Sequence, residues 1–302
     1  MRANPEVSVV MSVYNGAGYL RKSIESILTQ EGAELEFIVV NDGSTDGSKE
    51  ILDEYALKDK RFRVIHQENQ GLTRALIRGC AEAKGTYIAR QDAGDISLPS
   101  RLKKQLSCMK SHSDAILVSC GTRFVGPGGE YLYDVMEATD ELSLKGGFTG
   151  PSCHPCTLFP RKLYEQVGGY RSAFYFGQDK DLWSRLCVSG KHIILPEVLY
   201  ETSVTVDSIS GLYRKEQIEI ALLIAECDRL RREGLSESPV LNKAATIKPD
   251  GKRRLSRLAS ARALYFIGAC LKQQGDRRAN NYFKEAVRVC PMHIRSWYRL
   301  VF

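Results

Sequence analysis

Three apolar runs in the first 92 residues each stop on a cluster of polar and acidic groups, and a fourth acidic cluster follows much later in the chain. Val7 to Val13 ends in Tyr14-Asn15. Phe37 to Val40 ends in Asn41-Asp42-Gly43-Ser44-Thr45-Asp46, and Tyr87 to Ala89 ends in Arg90-Gln91-Asp92-Ala93-Gly94-Asp95. The fourth cluster is Gln178-Asp179-Lys180-Asp181-Leu182-Trp183. Short uninterrupted apolar runs are the mark of strands buried on both faces, and an open α/β sheet binds its ligands in the crevice outside the carboxyl ends of such strands. These four clusters are therefore expected to converge on one pocket, as in a nucleotide-binding enzyme.

Between the runs the periodicity changes to that of helices. Leu20, Ile24, Ile27 and Leu28 share a helical face, and Ile51, Leu52 and Tyr55 do so after the capping candidates Thr45, Asp46 and Ser48. Val64-Ile65 reads as a short strand, and Leu72 to Ala83 as a helix closed by Gly85. The resulting β-α-β-α-β-α-β order predicts a mostly parallel sheet covered on both sides. Further on, the pattern predicts a helix over 99–109, strands over 116–120 and 123–125, a tight turn at Gly126-Pro127-Gly128-Gly129, helices over 161–167 and 181–188, and a strand over 193–195. Residues 134–153 show the least regular pattern of the first 210.

After about residue 210 the chain changes character. Residues 211–302 carry 19 Lys and Arg against 9 Asp and Glu, or +10, which leaves −3 for residues 1–210 out of a total of +7. That asymmetry marks a domain boundary and predicts a first domain over 1–210 and a basic helical extension over 211–302. Residues 218–232 are strongly periodic, and 234–252, with Ser, Pro, Gly and charge, read as a linker. Ile267-Gly268, Leu271, Gly275-Asp276, Ala279, Phe283, Ala286 and Pro291 follow the spacing of a single tetratricopeptide-like hairpin, with one residue missing after Gly275-Asp276. One such unit cannot bury its own face, so it is expected to pack on neighbouring helices, on the first domain or on another subunit. The basic helices suit an anionic membrane surface or an acidic protein partner. They show no nucleic-acid-binding motif, and no nucleic acid is expected.

Composition narrows the class further. At 43% hydrophobic residues the chain is ordinary for a globular protein, and no apolar stretch approaches the roughly 20 residues of a membrane span. With no charged-then-apolar leader, the expectation is a cytoplasmic protein, peripheral at most to the inner membrane face. Nine cysteines without regular spacing point to reduced, packed thiols. Cys153-His154-Pro155-Cys156 has no second Cys/His pair at zinc-finger spacing.

Taken together, Val7–Asn15, Asn41–Asp46, Asp92–Leu102, Gly168-Gly169-Tyr170 and Gln178–Trp183 resemble the motifs of a family 2 glycosyltransferase, in the family's order. The likeness runs from about Val7 to Ser210, two thirds of the chain, and implies a GT-A fold: a Rossmann-like, mostly parallel sheet with helices on both faces. It implies an inverting enzyme that moves a sugar from a nucleoside-diphosphate sugar, a UDP-sugar by preference, to a hydroxyl of a glycan or lipid-linked glycan in surface polysaccharide synthesis.

The resemblance assigns Ser12, Tyr14, Asn15, Asp42 and Asp92 to the donor. Asp42 can accept hydrogen bonds from a base imide or a ribose hydroxyl, and Tyr14 offers a face for stacking. The competing structural reading makes Asp42 the shaper of a turn. Asp92-Ala93-Gly94-Asp95 stands in the place of the family's Asp-x-Asp motif, with Gly94 where the second acid usually ligates a divalent ion. Asp92 and Asp95 are thus the candidate ligands for Mg²⁺ or Mn²⁺, and Asp95 is alternatively a cap for the next helix. Asp179 is the candidate general base. It falls on the second acid of a Glu-Asp pair whose first member is replaced by Gln178, and Asp181 is the fallback. His154 and Trp183 are candidates for the acceptor side, against the plainer readings of a bonded structural histidine and a core aromatic. Two other functions compete: a catalytically degenerate scaffold, suggested by Gly94 and Gln178, and a Rossmann-type NAD-dependent oxidoreductase, suggested by Gly16-Ala17-Gly18 before Asp42. The latter lacks its third glycine, because Arg21 stands there.

Overall fold

The computed structural model describes residues 5–136, 151, 153–205, 212–249 and 256–301. Four strands, β1 (Val7–Val13), β2 (Leu35–Asp42), β3 (Phe62–Gln67) and β4 (Tyr87–Asp92), alternate with α1 (Leu20–Leu28), α2 (Ser48–Lys58) and α3 (Leu72–Ala81). They are followed by β5 (Ile96–Ser97), α4 (Arg101–Ser111), β6 (Ala115–Val125), β7 (Tyr131–Val135) and a 3₁₀ turn at His154–Cys156. Then come β8 (Leu158–Pro160), α5 (Arg161–Gln166), α6 (Gln178–Leu186) and β9 (Lys191–Ser203). The sheet runs β3-β2-β1-β4-β8-β6-β9-β5, with β7 paired to β6. β1 to β4 pair in parallel, β8 is antiparallel to both β4 and β6, and β9 returns parallel to β6.

The period of two in the strands decides which helix goes where. Val7, Val9, Met11 and Val13 of β1 and Phe37 and Val39 of β2 point to one face. There they meet Leu20, Ile24 and Ile27 of α1, Leu52 of α2, and Leu102 and Leu106 of α4. Val10, Ile38 and Ile88 point to the other, against Leu76 and Cys80 of α3, Tyr164 of α5, and Leu182, Trp183 and Leu186 of α6. Both faces are thus covered, as the apolar runs require, and the polar strand ends are left to form the cleft.

Several boundaries differ from the sequence pattern for identifiable reasons. The segments 116–120 and 123–125 form one strand, β6, that bends through register shifts on either side of Gly121. The strand expected at 193–195 extends to 13 residues in β9 because its second half pairs with β5 and the end of β6. Helix α6 starts at Gln178, three residues before the pattern predicts, because Gly177 at φ 64 turns the chain into it. The expected linker contains a helix, Ser238–Ala244, that begins with proline near its first position. Most of the irregular stretch 134–153 lies outside the described residues.

The C-terminal helices are α7 (Arg214–Arg232), α8 (Ser238–Ala244), α9 (Arg257–Gln273), α10 (Ala279–Val289) and α11 (Ile294–Val301). Helices α7 and α8 bury Ile220, Ile224, Cys227 and Ala244 against Phe174 and Phe176, just ahead of α6. Helices α9 and α10 form the expected hairpin. Ile267, Gly268, Leu271, Ala279, Phe283 and Ala286 are all buried, and a Cβ on Gly268 would come within 2.8 Å of the Phe283 ring. The hairpin closes its core on Leu132 of β7, and Tyr282 donates to Glu130 at 2.9 Å. The β6–β7 edge of the sheet is therefore what covers it. The boundary expected near 210 lies outside the described residues.

Candidate active site

At the carboxyl ends of β1 and β2 the two loops are laced together by side chains on backbone amides. Asn15 adopts a left-handed φ of 53; its N–H donates to Ser44 Oγ at 3.0 Å, and its Oδ1 accepts from Thr45 N at 2.7 Å. Ser48 Oγ accepts from Gly16 N, and the Asp46 carboxylate from Ala17 N and Ser48 N. The next groups along are held in place by this lacing. Tyr14 is 49% exposed, and Ser12 lies in register with Val40 on one side and Asp92 on the other. Asp42 is 2% exposed. Its Oδ1 accepts from Gln67 Nε2 at 2.8 Å and Gln70 N at 2.9 Å, and its Oδ2 from Gly71 N at 2.8 Å. Three donors of the 67–71 segment thus share the two oxygens of this carboxylate. Gly71 has φ 86, and a Cβ there would lie 2.9 Å from the Tyr175 ring. Thr73 Oγ1 donates to Phe174 O at 2.8 Å, so the segment leading into α6 is docked beside the Asp42 loop.

The end of β4 rests on two wholly buried guanidinium groups. Arg101 donates to Arg90 O and Pro155 O, and Arg90 donates to Val10 O at 2.5 Å and to Asp92 Oδ1 at 2.6 Å. The Asp92 side chain keeps 38% exposure, with Arg90 on its Oδ1. Asp95 behaves differently. It is 8% exposed, its Oδ2 accepts from Tyr200 OH at 3.0 Å and its Oδ1 from Thr202 Oγ1 at 2.9 Å. Burial, with the Asp92 charge adding to it, pushes its carboxyl up to about 7. The cap expected of Asp95 is not seen: α4 starts at Arg101 behind Ser100, and neither side chain caps it. Gly94 sits at φ 103 with its N–H on Ser23 Oγ at 2.9 Å, a backbone shape that L side chains rarely adopt.

Helix α6 carries the fourth acidic cluster. Asp179 lies in its first turn and is partly buried; burial raises its carboxyl above the ordinary range, and the Asp92 charge adds to the rise. Asp92 and Asp179 are thus close enough to feel each other's charge. Asp181, about 200° further round the helix, is wholly buried between Arg171 and Arg185 Nη2, the latter at 2.7 Å. A proton acceptor enclosed by two guanidinium groups has no path to a substrate hydroxyl, so the structure removes the fallback base from the cleft. His154 Nε2 is 2.8 Å from Tyr170 OH, and its ring stands edge-on to Trp183 at 5.5 Å. Burial, then the Arg90 charge, holds it well below its usual pKa, so it is a neutral imidazole. Trp183 is 2% exposed and belongs to the core beneath the cleft.

Among the described residues no three His, Cys, Asp or Glu side chains gather as a metal site. The donor set fits a divalent ion in one way only: Asp92 can offer an oxygen, whereas both Asp95 oxygens are engaged by hydroxyl donors. Mg²⁺ commonly needs no more than one or two carboxylates when phosphates supply the rest.

Comparison with known proteins decides the family. Residues 8–168 match the family model described as Glycosyl transferase family 2. EpsE of Bacillus subtilis (strain 168), named as a glycosyltransferase, is 32% identical over 237 residues, covering 76% of this chain and 85% of EpsE. The chain belongs to glycosyl transferase family 2. A glycosyltransferase of Rickettsia bellii (strain RML369-C) is 29% identical over 294 residues, 94% of this chain but only 40% of that protein's length. Among solved structures, Staphylococcus aureus TarS residues 1–349 in complex with UDP-GlcNAc matches with a TM-score of 0.62 at 18% identity, over 94% of this chain and 86% of that one. The mannosyltransferase PcManGT of Pyrobaculum calidifontis, in complex with GDP-Man and Mn²⁺, matches with a TM-score of 0.55 at 18% identity, over 99% and 84%. These likenesses show the GT-A fold. The glycosyltransferase identity sets the oxidoreductase reading aside.

Several residues that build this site were given no role of their own from the sequence. Arg90 was legible only as part of the third polar cluster and Arg101 only as part of the 92–102 motif, while Tyr200 and Thr202 lie beyond the strand expected over 193–195. Only the fold brings them under the 92–95 turn. The one available hint was Arg90 itself, a charge placed between apolar Ala89 and the acidic turn.

Proposed function

We propose that this glycosyltransferase takes its sugar from a nucleoside-diphosphate sugar, a UDP-sugar by preference, and passes it with inversion to a hydroxyl of a glycan or lipid-linked glycan in surface polysaccharide synthesis. The observation that carries the proposal is that the Asp92 charge at the end of β4 is felt at Asp179 in the first turn of α6, while Asp42 at the end of β2 is held by the backbone of the 67–71 loop. The donor preference is supported by the folds it shares with TarS, seen with UDP and with UDP-GlcNAc, against PcManGT, seen with GDP-Man. The acceptor class rests on the family resemblance.

In this reading Tyr14 stacks on the base, and Asp42 accepts from the base or the ribose. Ser12 and Asn15 form the wall between them and Asp92. Asp179 takes the proton of the acceptor hydroxyl as that oxygen bonds to the anomeric carbon. The bond from that carbon to the diphosphate oxygen breaks, and its electron pair leaves with the diphosphate. A single displacement of this kind inverts the anomeric centre, and a carboxylate with a raised pKa is suited to the proton transfer. A Mg²⁺ or Mn²⁺ ion held by Asp92 would neutralise charge on the departing diphosphate. His154, neutral and bonded to Tyr170, stands edge-on to Trp183 on the buried side of α6, so the role of both toward the acceptor is positioning.

No helix among the described residues is long and apolar enough to cross a membrane. We place the enzyme in the cytoplasm, at the inner membrane face where lipid-linked acceptors are presented, with 1–210 as catalytic domain and 211–302 as its basic extension.

Thermal unfolding with UDP, GDP, dTDP and NAD⁺, with and without Mn²⁺, tests the donor site. We expect UDP to raise Tm most and NAD⁺ to leave it unchanged. Tyr14→Ala, at an exposed position, should weaken UDP binding by about 5- to 100-fold, the range that loss of one base–aromatic stack gives. An unchanged Tm with every diphosphate would favour the scaffold reading.

A further inference from the structure

Helix α11 is folded with its apolar face outward. Ile294, Trp297, Tyr298 and Val301 recur at i, i+3, i+4 and i+7, the spacing that ordinarily faces a core, yet they are 80%, 49%, 61% and 68% exposed. What the helix buries is Ser296, with Leu300 partly buried beside the α9–α10 core. Met292, just ahead of the helix, extends the outward stripe at 86% exposure. Trp297 is held in this orientation by its own Nε1, which donates to Pro291 O at 2.8 Å, and His293 is locked inward on Ser296 Oγ at 2.7 Å.

The charge around this stripe has one sign. Residues 257–301 contain nine Lys and Arg and two Asp and Glu. Of the two acids, Asp276 is bonded to Arg278, and Glu285 lies beside Arg288. Arg295 and Arg299 lie together on one side of the stripe on α11 itself, about 100° and 140° round from Ile294, and Arg262 and Arg295 line the groove between α9 and the start of α11 together with Leu258, Met292 and Ile294.

We propose that the outward face of α11 docks the enzyme on an anionic lipid surface. Trp and Tyr carry an apolar body with a polar tip and settle at the headgroup level. Ile294, Val301 and Met292 enter the acyl boundary beside them, and the arginines lie over the lipid phosphates with their stems along the apolar edge. Charge complementarity selects this occupant. A second copy would bring two strongly basic faces together, and like-charge juxtaposition opposes such a contact. The inference deepens the peripheral-membrane part of the proposed function and rests on it for the side of the membrane met.

The chain contains two tryptophans, and Trp183 is buried, so a change in emission on docking reports Trp297. Full-length protein is mixed with vesicles of phosphatidylcholine alone or with one third phosphatidylglycerol. The readouts are flotation, tryptophan emission and quenching by brominated lipid. We expect flotation with the anionic vesicles at least tenfold stronger than with the neutral ones, a blue shift, quenching by the brominated lipid, and loss of flotation in 0.5 M salt. Trp297→Glu and Ile294→Glu should abolish flotation, and Arg295→Glu with Arg299→Glu should weaken it at least tenfold. Each variant should keep the wild-type UDP-induced Tm shift, which is read separately, so failure of docking and failure of the donor site are told apart. Absent flotation, flotation without any change in tryptophan emission, or wild-type flotation by Ile294→Glu would overturn the proposal. So would a concentration-dependent dimer abolished by the same substitution, because the face would then belong to a second copy.

Discussion

Asp179 and Asp181 stand two residues apart on α6, and their surroundings give them different work. Asp181 closes an internal cluster in which Arg171 also reaches Glu237 at 2.5 Å, tying α6 to the start of α8. Asp181→Asn would leave the buried Arg185 guanidinium without its counter-charge, while Arg171 keeps Glu237, and should cost about 3–5 kcal/mol in urea unfolding. Asp179 is raised by burial, so on acidification it takes up a proton above the ordinary Asp range near 3.9. In its proposed role as general base it is active only when ionised. The account therefore predicts that kcat/KM falls with unit slope as pH drops through that raised pKa, and that the limb disappears in Asp179→Asn. From sequence the two acids could be ranked only by their place in the motif. What separates them is Arg171 and Arg185, and Arg171 comes from outside the helix. Asp42 shows the same limit: its position at a strand end was legible, while the three donors that fix it come from the 67–71 loop, which has no distinctive composition.

At the scale of elements, the turn at 92–95 is gripped from beneath by the far end of β9. Tyr200 OH donates to Asp95 and accepts from Asp92 N at 3.2 Å, and Thr202 adds a second donor to Asp95. Tyr200→Phe would strand a buried carboxylate oxygen and a backbone N–H, and should destabilise the protein by about 1–3 kcal/mol in denaturant unfolding while keeping its ring in the core. The first four strands and three helices were legible because each strand is a continuous apolar run and each helix keeps one apolar stripe. β5 was not legible, since two residues carry no period, and neither was the length of β9, whose exposed stretch around Glu197 interrupts its apolar pattern. The helix at 238–244 was hidden because only Ala244 of it is buried.

For the whole molecule, the fold sets Asp92 at the end of β4 where its charge reaches Asp179 on α6, and of Asp92 and Asp95 it is Asp92 that keeps an exposed side chain. Metal affinity should therefore depend on the nucleotide. Mn²⁺ alone should leave Tm unchanged, while Mn²⁺ with UDP should raise it beyond UDP alone, and Asp92→Asn should remove that increment. The C-terminal helices are not a free appendage: α7 packs against Phe174 and Phe176, and the α9–α10 hairpin against Leu132. Their basic charge was legible from composition, but the outward turn of the α11 stripe was not, because periodicity gives a face without its direction. The central claim is that Asp179 is the base of a single-displacement transfer. It is tested most directly by measuring UDP binding and UDP-sugar turnover side by side in the wild type and Asp179→Asn. The account predicts turnover in the wild type and, in the variant, a loss of at least 100-fold in kcat with the UDP-induced Tm shift preserved; turnover by the variant within a few-fold of the wild type would contradict it.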